Sequence, residues 1–360
     1  MYILANLERK CLLMSIESDL KKDGITVIEP LDTTTVNVIA KNVSKKIVAA
    51  FSNLGFDFDT LYERFSKLPM YIADMPEGMS EASYFYKNSA IYFRDGMGLA
   101  DLEKFAVHEL IHNFQEQKNE KGDLTRLGLC TFKGSKPTGM ALNEAAVQLL
   151  ASNILENTFE TATYYDITFS TVSPNCYPLL CNLIYQMAYV TGEEVLFEST
   201  FNSNDHFKNK FTALCGENVY NQISNYFDKI LETEEKIIKI SNKIQKNELS
   251  TAKVDSLYRK SDELKKQLKS VYFSTQELII NSYFTNSLKT LITSDDVDIF
   301  RKKLYSFQDI IGTTTNYFFF NNYYIQMMEK LDSRYDSLSD YLDDDNTYLI
   351  PKKENKFTKI

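Results

Sequence analysis

The sequence lacks the features that would place the chain in a membrane or in the general secretory pathway. None of its apolar runs reaches the ~18 consecutive residues that a membrane-spanning helix needs. The N-terminal stretch MYILANLERKCLLM is partly apolar, but Glu8, Arg9 and Lys10 interrupt it and no small-residue cleavage site follows, unlike a signal peptide. We therefore expect a cytoplasmic protein, while export by a route that needs no cleavable signal remains open.

A basic surface and a cysteine framework are missing as well. The formal net charge is −9, and Lys and Arg are interspersed with Asp and Glu, which argues against a nucleic-acid-binding protein. The five cysteines are an odd number without framework spacing, and Cys176 and Cys181 lie too far apart for a CxxC redox pair. The absence of a cysteine framework favours reduced and partly buried thiols.

What the chain does contain is typical of a globular protein with a sizeable core. Hydrophobic residues make up 44% and charged residues 25% of the composition, and 360 residues leave room for more than one domain. The patterning predicts an α+β fold in four parts. These are a mixed α/β N-terminal region over residues 1–75, a central core over 76–215, a helical domain over 216–338 and a disordered tail over 339–360.

The C-terminal third has the composition of long helices. Residues 228–247 and 252–280 are rich in Lys and Glu, and their apolar residues recur at helical spacing. This predicts a helical hairpin that turns near residues 247–250. Two interpretations remain open: a packed helical subdomain, or a coiled coil that binds a protein partner or serves as a substrate exosite.

The sequence of the central core predicts a strand-rich segment followed by two helices. Residues 84–95, YFYKNSAIYFRD, indicate a hairpin or a bent edge strand. An amphipathic helix should follow, with Asp101 as its N-cap and its end near Lys118. The glycines and the proline of residues 119–139 predict a long irregular connection, and a second helix should begin near Met140.

Two of the three histidines of the chain lie four residues apart in this first helix, in the segment FAVHELIHNFQEQ. Positions i and i+4 share one helix face, so His108 and His112 can present ring nitrogens to one cation. Glu109 lies about 100° round the helix, where a carboxylate flanks the metal and can accept a proton from an activated water. Because histidine is so scarce, we interpret HELIH as a zinc-binding motif and not as a chance pairing.

A catalytic zinc site needs a third protein ligand and an open coordination position. No histidine follows closely enough to supply that ligand, and the best candidate is Glu144 in MALNEAAVQLLAS. It lies in the first half of the second helix, whose alanines would permit close packing against the motif helix. Without the motif, Glu144 would be interpreted as an ordinary solvated glutamate.

HELIH followed by ALNEAAVQ resembles the gluzincin branch of zinc metallopeptidases, the thermolysin-like group. In that group a glutamate in an NEA-type sequence on the next helix is the third ligand. The resemblance covers residues 84–157 and implies a zincin-like core in which one zinc ion is bound by His108, His112 and Glu144. It also implies that Glu109 is the general base.

The resemblance further implies where a peptide substrate lies. The strand-like segment SAIYF, which includes Ser89, Ala90, Ile91 and Tyr92, corresponds to the edge strand along which the substrate extends.

Two departures from the gluzincin pattern concern Glu144 and its surroundings. The interval between the motif and this glutamate is longer than in thermolysin, and the acidic residue expected four positions after it is Gln148. An amide oxygen at this position can still accept a hydrogen bond from a ligand histidine and so fix its tautomer.

Peptide hydrolysis at such a site also needs a donor for the developing oxyanion. Gluzincins use a tyrosine, histidine or arginine, which makes Tyr177, Tyr164, Tyr165 and His206 the candidates here.

The sequence therefore predicts a zinc metallopeptidase that acts on peptides or on one protein substrate through a metal-activated water. The alternative is a catalytically inactive zinc-binding scaffold whose helical C-terminal part mediates protein–protein interaction. The intact Glu109 argues against the scaffold, because a protein without catalysis gains little from a base at this position.

Overall fold

The computed structural model describes residues 16–22, 24–76, 80–134, 136–246, 250–311 and 317–343. Within these ranges the protein is mostly helical and contains three small sheets, so the predicted α+β class is confirmed. Among the helices of these ranges, none has a segment sufficiently long and apolar to cross a membrane.

A mixed four-stranded sheet forms the N-terminal part of the described chain. Its strands are β1 (Thr26–Pro30), β2 (Met70–Asp74), β3 (Ala82–Phe85) and β4 (Ala90–Arg94), in the spatial order β1-β2-β4-β3. β2 and β4 are parallel, and the two outer strands are antiparallel to their neighbours.

Three helices accompany this sheet. Residues 16–22 are helical (α1), and they are followed by α2 (Thr33–Ala50) and α3 (Phe58–Ser66). Aspartate caps both of the longer helices: Asp32 Oδ1 accepts from the backbone N–H of Thr35, and Asp57 Oδ2 accepts from that of Thr60. The apolar stripe of α2 is buried in the main hydrophobic core, as its helical spacing predicts.

The strand order corrects the predicted edge strand. Ser89 lies in the turn before β4 with a left-handed φ of 48°, and Ala90, Ile91 and Tyr92 lie in β4 itself, which is buried between β2 and β3. The edge strand on this side is β3. The error has a physical reason: AIYF is an uninterrupted apolar run, which is typical of an internal strand covered on both faces.

The prediction of an irregular connection after the motif helix is also wrong. It contains an antiparallel meander of four short strands, β5 (Glu116–Lys118), β6 (Leu124–Leu127), β7 (Cys130–Lys133) and β8 (Lys136–Thr138). Gly122 and Gly128 have φ values of 83° and 56° and lie in the turns that reverse the chain. Glycine is favoured at such turns because it adopts positive φ without a steric penalty, so these glycines end strands here instead of marking a structureless loop.

The two helices that carry the motif residues lie on either side of this meander. They are α4 (Leu99–Gln115) and α5 (Met140–Ile154). Gly98, not Asp101, is the N-cap residue of α4, and Asp101 lies in its first turn, where a carboxylate favours the helix dipole. The helix ends at Gln115 instead of near Lys118 because β5 begins with Glu116.

The rest of the described chain is a two-stranded hairpin and a set of helices. In order these are β9 (Glu160–Tyr164), β10 (Ile167–Thr171), α6 (Pro178–Thr191), α7 (Glu193–Asn202), α8 (His206–Cys215), α9 (Glu217–Lys246), α10 (Thr251–Leu288), α11 (Ser294–Ile311) and α12 (Tyr317–Asp343). α9 and α10 pack against each other, as the predicted helical hairpin requires, and its turn at 247–249 lies outside the described residues. α12 continues into the beginning of the predicted tail, and residues 344–360 lie outside the described part.

Candidate metal centre

The packing of α4 decides which way the two histidines of HELIH point. Its apolar residues Ala106, Val107, Leu110 and Ile111 are fully buried. The side chains of His108 and His112 are 12% and 5% exposed. They lie one turn apart on the same helix face, as the four-residue spacing predicts.

Glu144 comes to this face because α5 packs directly against α4. Ala141, Ala145 and Ala146 are fully buried, so small side chains are present where the second helix enters the core. The first turn of α5 is anchored from α9, since the backbone N–H of Ala141 donates to Asp228 Oδ1 at 3.2 Å. The NEA-type sequence and the alanines around it made Glu144 the candidate ligand, and these contacts bring it to the two histidines.

The three candidate ligands converge on one point. His108 Nε2 lies 3.3 Å from Glu144 Oε2, His112 Nε2 lies 3.3 Å from Glu144 Oε1, and the two Nε2 atoms are 3.0 Å apart. Ligand atoms around a tetrahedral zinc ion with bonds of about 2.0–2.1 Å are separated by about 3.3 Å. Two imidazole nitrogens and a carboxylate in this arrangement fit zinc in both spacing and donor chemistry.

The electrostatics of the cluster also fit a cation. Burial opposes ionisation of Glu144, but the adjacent histidines, His112 foremost, outweigh this effect and hold the pKa of its carboxyl well below the usual range. Burial also disfavours a charged His108, yet its hydrogen bond with Glu144 and the nearby carboxylates raise its pKa. An ionised carboxylate between two imidazoles is the donor set of a catalytic zinc site with one position left for water.

Glu109 lies beside this cluster and reaches the edge strand β3 of the N-terminal sheet. Its side chain is buried, and its Oε2 accepts a 2.7 Å hydrogen bond from the backbone N–H of Tyr84 in edge strand β3. Burial raises the pKa of the Glu109 carboxyl, an effect that His108 and His112 partly offset. A carboxylate with a raised pKa, held beside the metal ligands and not among them, is suited to proton transfer.

Tyr84 joins the edge strand to the motif helix a second time through its side chain. Asn113 Nδ2 donates to the Tyr84 hydroxyl at 3.1 Å, and Arg64 Nε in turn donates to Asn113 Oδ1 at 2.9 Å. The same residue therefore contacts Glu109 through its backbone and the next turn of α4 through its ring. These contacts fix the distance between β3 and the candidate base.

Gln148 lies where the sequence predicted it, next to a histidine of the cluster. Its Oε1 is 2.8 Å from His108 Nδ1, and its Nε2 donates to Ser173 Oγ at 3.0 Å. His108 thus has a partner on each ring nitrogen, one on the cluster side and one on the opposite side.

Tyr177 is the tyrosine that the structure brings to the cluster. It precedes α6 with a left-handed φ of 48°, and its ring centroid lies 6.2 Å from that of His108. The negative charge of Glu144, together with burial, raises the pKa of Tyr177 well above its usual value. A phenol that stays protonated beside the ligands can donate a hydrogen bond to a bound substrate.

The other proposed oxyanion donors have different surroundings. His206 begins α8, half of its side chain is exposed, and its Nδ1 lies 3.1 Å from Glu198 Oε2, so the structure places it on the surface beside Glu198. Tyr164 and Tyr165 lie at the tip of the β9–β10 hairpin, where their rings pack edge to face. Of the four candidates, Tyr177 is therefore the one that contacts a candidate metal ligand, His108.

Sequence reasoning missed the residues that hold the site together, chiefly Tyr84, Asn113 and Ser173. Tyr84 is one of 23 tyrosines, and no local pattern distinguishes it. Asn113 directly follows HELIH, so its place one turn after Glu109 on the helix was available as a signal. Ser173 acts across 25 positions of sequence, and only the folded chain brings it to Gln148.

Comparisons with family models, with curated proteins and with solved structures found no match to this chain. The gluzincin resemblance therefore depends on the motif and on the geometry of the cluster alone.

Proposed function

We propose that the protein is a zinc-dependent peptidase with a gluzincin-like, zincin-type core. The observation that carries this proposal is the convergence of His108, His112 and Glu144 on one point, with the buried Glu109 beside them and hydrogen-bonded to the edge strand β3. A scaffold that only bound metal would need the first three residues but would gain nothing from burying a second carboxylate beside them. The cytoplasmic location inferred from the sequence stays a prediction.

Bound zinc would polarise the scissile carbonyl and lower the pKa of a water molecule. Residues of the chain would carry out proton transfer and position the substrate. Glu109 accepts the proton of the attacking water and delivers it to the leaving amine, because its carboxylate lies beside the ligands and its raised pKa suits both transfers. The edge of β3 positions the peptide backbone of the substrate by strand addition.

Tyr177 supplies the hydrogen bond to the carbonyl oxygen as that oxygen gains negative charge. Its hydroxyl remains protonated because Glu144 and burial raise its pKa. The left-handed backbone at Tyr177 is an unusual conformation for a bulky residue, and such strain is concentrated at functional sites.

The first test is the metal content and the activity of the purified protein. We expect about one zinc ion per chain, as one cluster of three ligands implies, and cleavage of members of a peptide library. A chelator should abolish cleavage, and added zinc should restore it. Absence of zinc after purification without chelators would contradict the proposal, and stoichiometric zinc without any cleavage would support the inactive scaffold.

Replacing Tyr177 with phenylalanine should lower kcat by about 10²–10³-fold, the usual effect of losing one oxyanion donor. KM and zinc content should stay unchanged, because the ring remains and the hydroxyl is not a ligand. Steady-state kinetics and metal analysis check both points. Tyr185→Phe, within the helix α6 that Tyr177 precedes, is the matched control; an equal loss in both variants would show that Tyr177 acts through packing.

A further inference from the structure

A chain of hydrogen bonds leads from His108 to a backbone carbonyl on the far side of Gln148. His108 Nδ1 lies 2.8 Å from Gln148 Oε1, Gln148 Nε2 lies 3.0 Å from Ser173 Oγ, and Ser173 Oγ lies 2.6 Å from the carbonyl oxygen of Cys176. Ser173 itself is buried, and its backbone N–H donates to Thr171 Oγ1 at 3.1 Å. The chain is therefore anchored at its end by a buried serine.

The end of this chain fixes the direction of every bond in it. A carbonyl oxygen has no proton to donate, so the single proton of the Ser173 hydroxyl must lie on the bond to Cys176. The serine oxygen can then only accept from Gln148, which turns the amide NH₂ towards Ser173 and the amide oxygen towards His108. An amide oxygen also only accepts, so Nδ1 of His108 must carry a proton.

We propose that Ser173 is a positioning residue of the metal centre. It orients the Gln148 amide, and through that amide it holds His108 in the tautomer whose unprotonated Nε2 faces Glu144 and His112. Metal-ligating histidines need this tautomer, since only an unprotonated ring nitrogen can coordinate. The inference deepens the proposed function and rests on it for its biological purpose.

No such chain reaches the second histidine of the motif within the described part of the protein. The Nδ1 atom of His112 is buried and has no hydrogen-bond partner among the described residues. The hydrogen-bond chain therefore sets the tautomer of His108 and not that of His112.

The same serine also shapes the segment that leads to Tyr177. The bond from Ser173 to the Cys176 carbonyl closes the turn immediately before Tyr177, whose own carbonyl accepts from Cys181 N–H at 2.8 Å to start α6. Ser173 therefore contacts both sides of the site: the ligand His108 through Gln148, and the candidate oxyanion donor through the backbone.

The test uses Ser173→Ala alone and combined with Gln148→Glu. Loss of the hydroxyl frees the amide to turn, and we expect the zinc dissociation constant, measured by chelator competition, to rise about 10-fold, as is typical for loss of a partner behind a ligand. In the double variant both carboxylate oxygens accept, so the His108 tautomer no longer needs Ser173. We expect zinc affinity to return to near the wild-type value.

The tautomer can be read independently of zinc and of activity. Because the chain has three histidines, ¹⁵N-histidine labelling gives three resolvable imidazoles, and His206→Asn assigns the surface one. In the zinc-free protein at alkaline pH we expect His108 to be protonated on Nδ1 in the wild type and in the double variant. In Ser173→Ala we expect a mixture of the Nδ1-protonated and Nε2-protonated tautomers. Ser170→Ala, three residues earlier, should resemble the wild type.

Two results would overturn the inference. One is an unchanged His108 tautomer and zinc affinity in Ser173→Ala. The other is a loss of zinc affinity in Ser173→Ala that the added Gln148→Glu does not restore, which would show that the serine acts through folding. Failure of the peptidase proposal is distinguishable, because a protein that binds no zinc still reports the His108 tautomer by NMR.

Discussion

Glu109→Gln should abolish most peptide cleavage while the protein keeps its zinc. We expect kcat to fall by about 10³-fold, within the 10²–10⁴-fold that a positioned general base contributes. The amide cannot accept the proton of the attacking water, but its oxygen can still accept the hydrogen bond from Tyr84 N–H, which leaves the edge strand in place. Kinetics on any peptide found in the library and metal analysis on the same sample measure the two expectations.

The control for this variant is Glu120→Gln, which makes the same chemical change at an exposed position beyond β5. It should leave kcat, KM and zinc content unchanged. If Glu109→Gln retained wild-type kcat while its zinc content stayed at one per chain, Glu109 would not be the base. Zinc lost together with activity would instead assign Glu109 a role in holding the metal cluster.

The histidine pair and the neighbouring glutamate of the candidate metal centre were predictable from sequence because they obey local helix geometry. His108 and His112 share a helix face at any site where the helix forms, and Glu109 must flank them. Glu144 lies on the next helix, and the small residues around it let that helix pack closely against α4. The prediction of the edge strand was wrong for the opposite reason. Whether β4 lies at the edge or inside the sheet depends on its pairing with β2, which is distant in sequence.

Contacts between distant segments account for the rest of what sequence could not supply. The meander between α4 and α5 has strands of three or four residues, too short for periodicity to register. Asn143 attaches this meander to α5. This fully buried residue of the NEA segment accepts a hydrogen bond from the backbone N–H of Leu129 at 2.9 Å. The longer interval before Glu144 thus encloses a small sheet that is hydrogen-bonded to α5.

The second large effect should come from removing the third ligand. In Glu144→Ala the zinc dissociation constant should rise by more than about 100-fold, beyond the range found for residues behind a ligand, and peptide cleavage should disappear with the metal. The physical reason is that two neutral imidazoles retain neither the charge nor the third donor atom that the site needs. Chelator competition and metal analysis measure the affinity, and thermal unfolding in chelator shows whether the fold survives.

Glu144→Gln separates the two contributions of this side chain, because the amide keeps an oxygen donor and loses the charge. We expect its zinc affinity to lie between those of the wild type and Glu144→Ala, since carboxylate is the stronger ligand for a divalent cation. Asn153→Ala, an exposed position near the end of the same helix, should change nothing. Wild-type zinc affinity in Glu144→Ala would mean that the close approach of Glu144 to both histidines reflects a buried ion-pair cluster, and the peptidase proposal would fail with it.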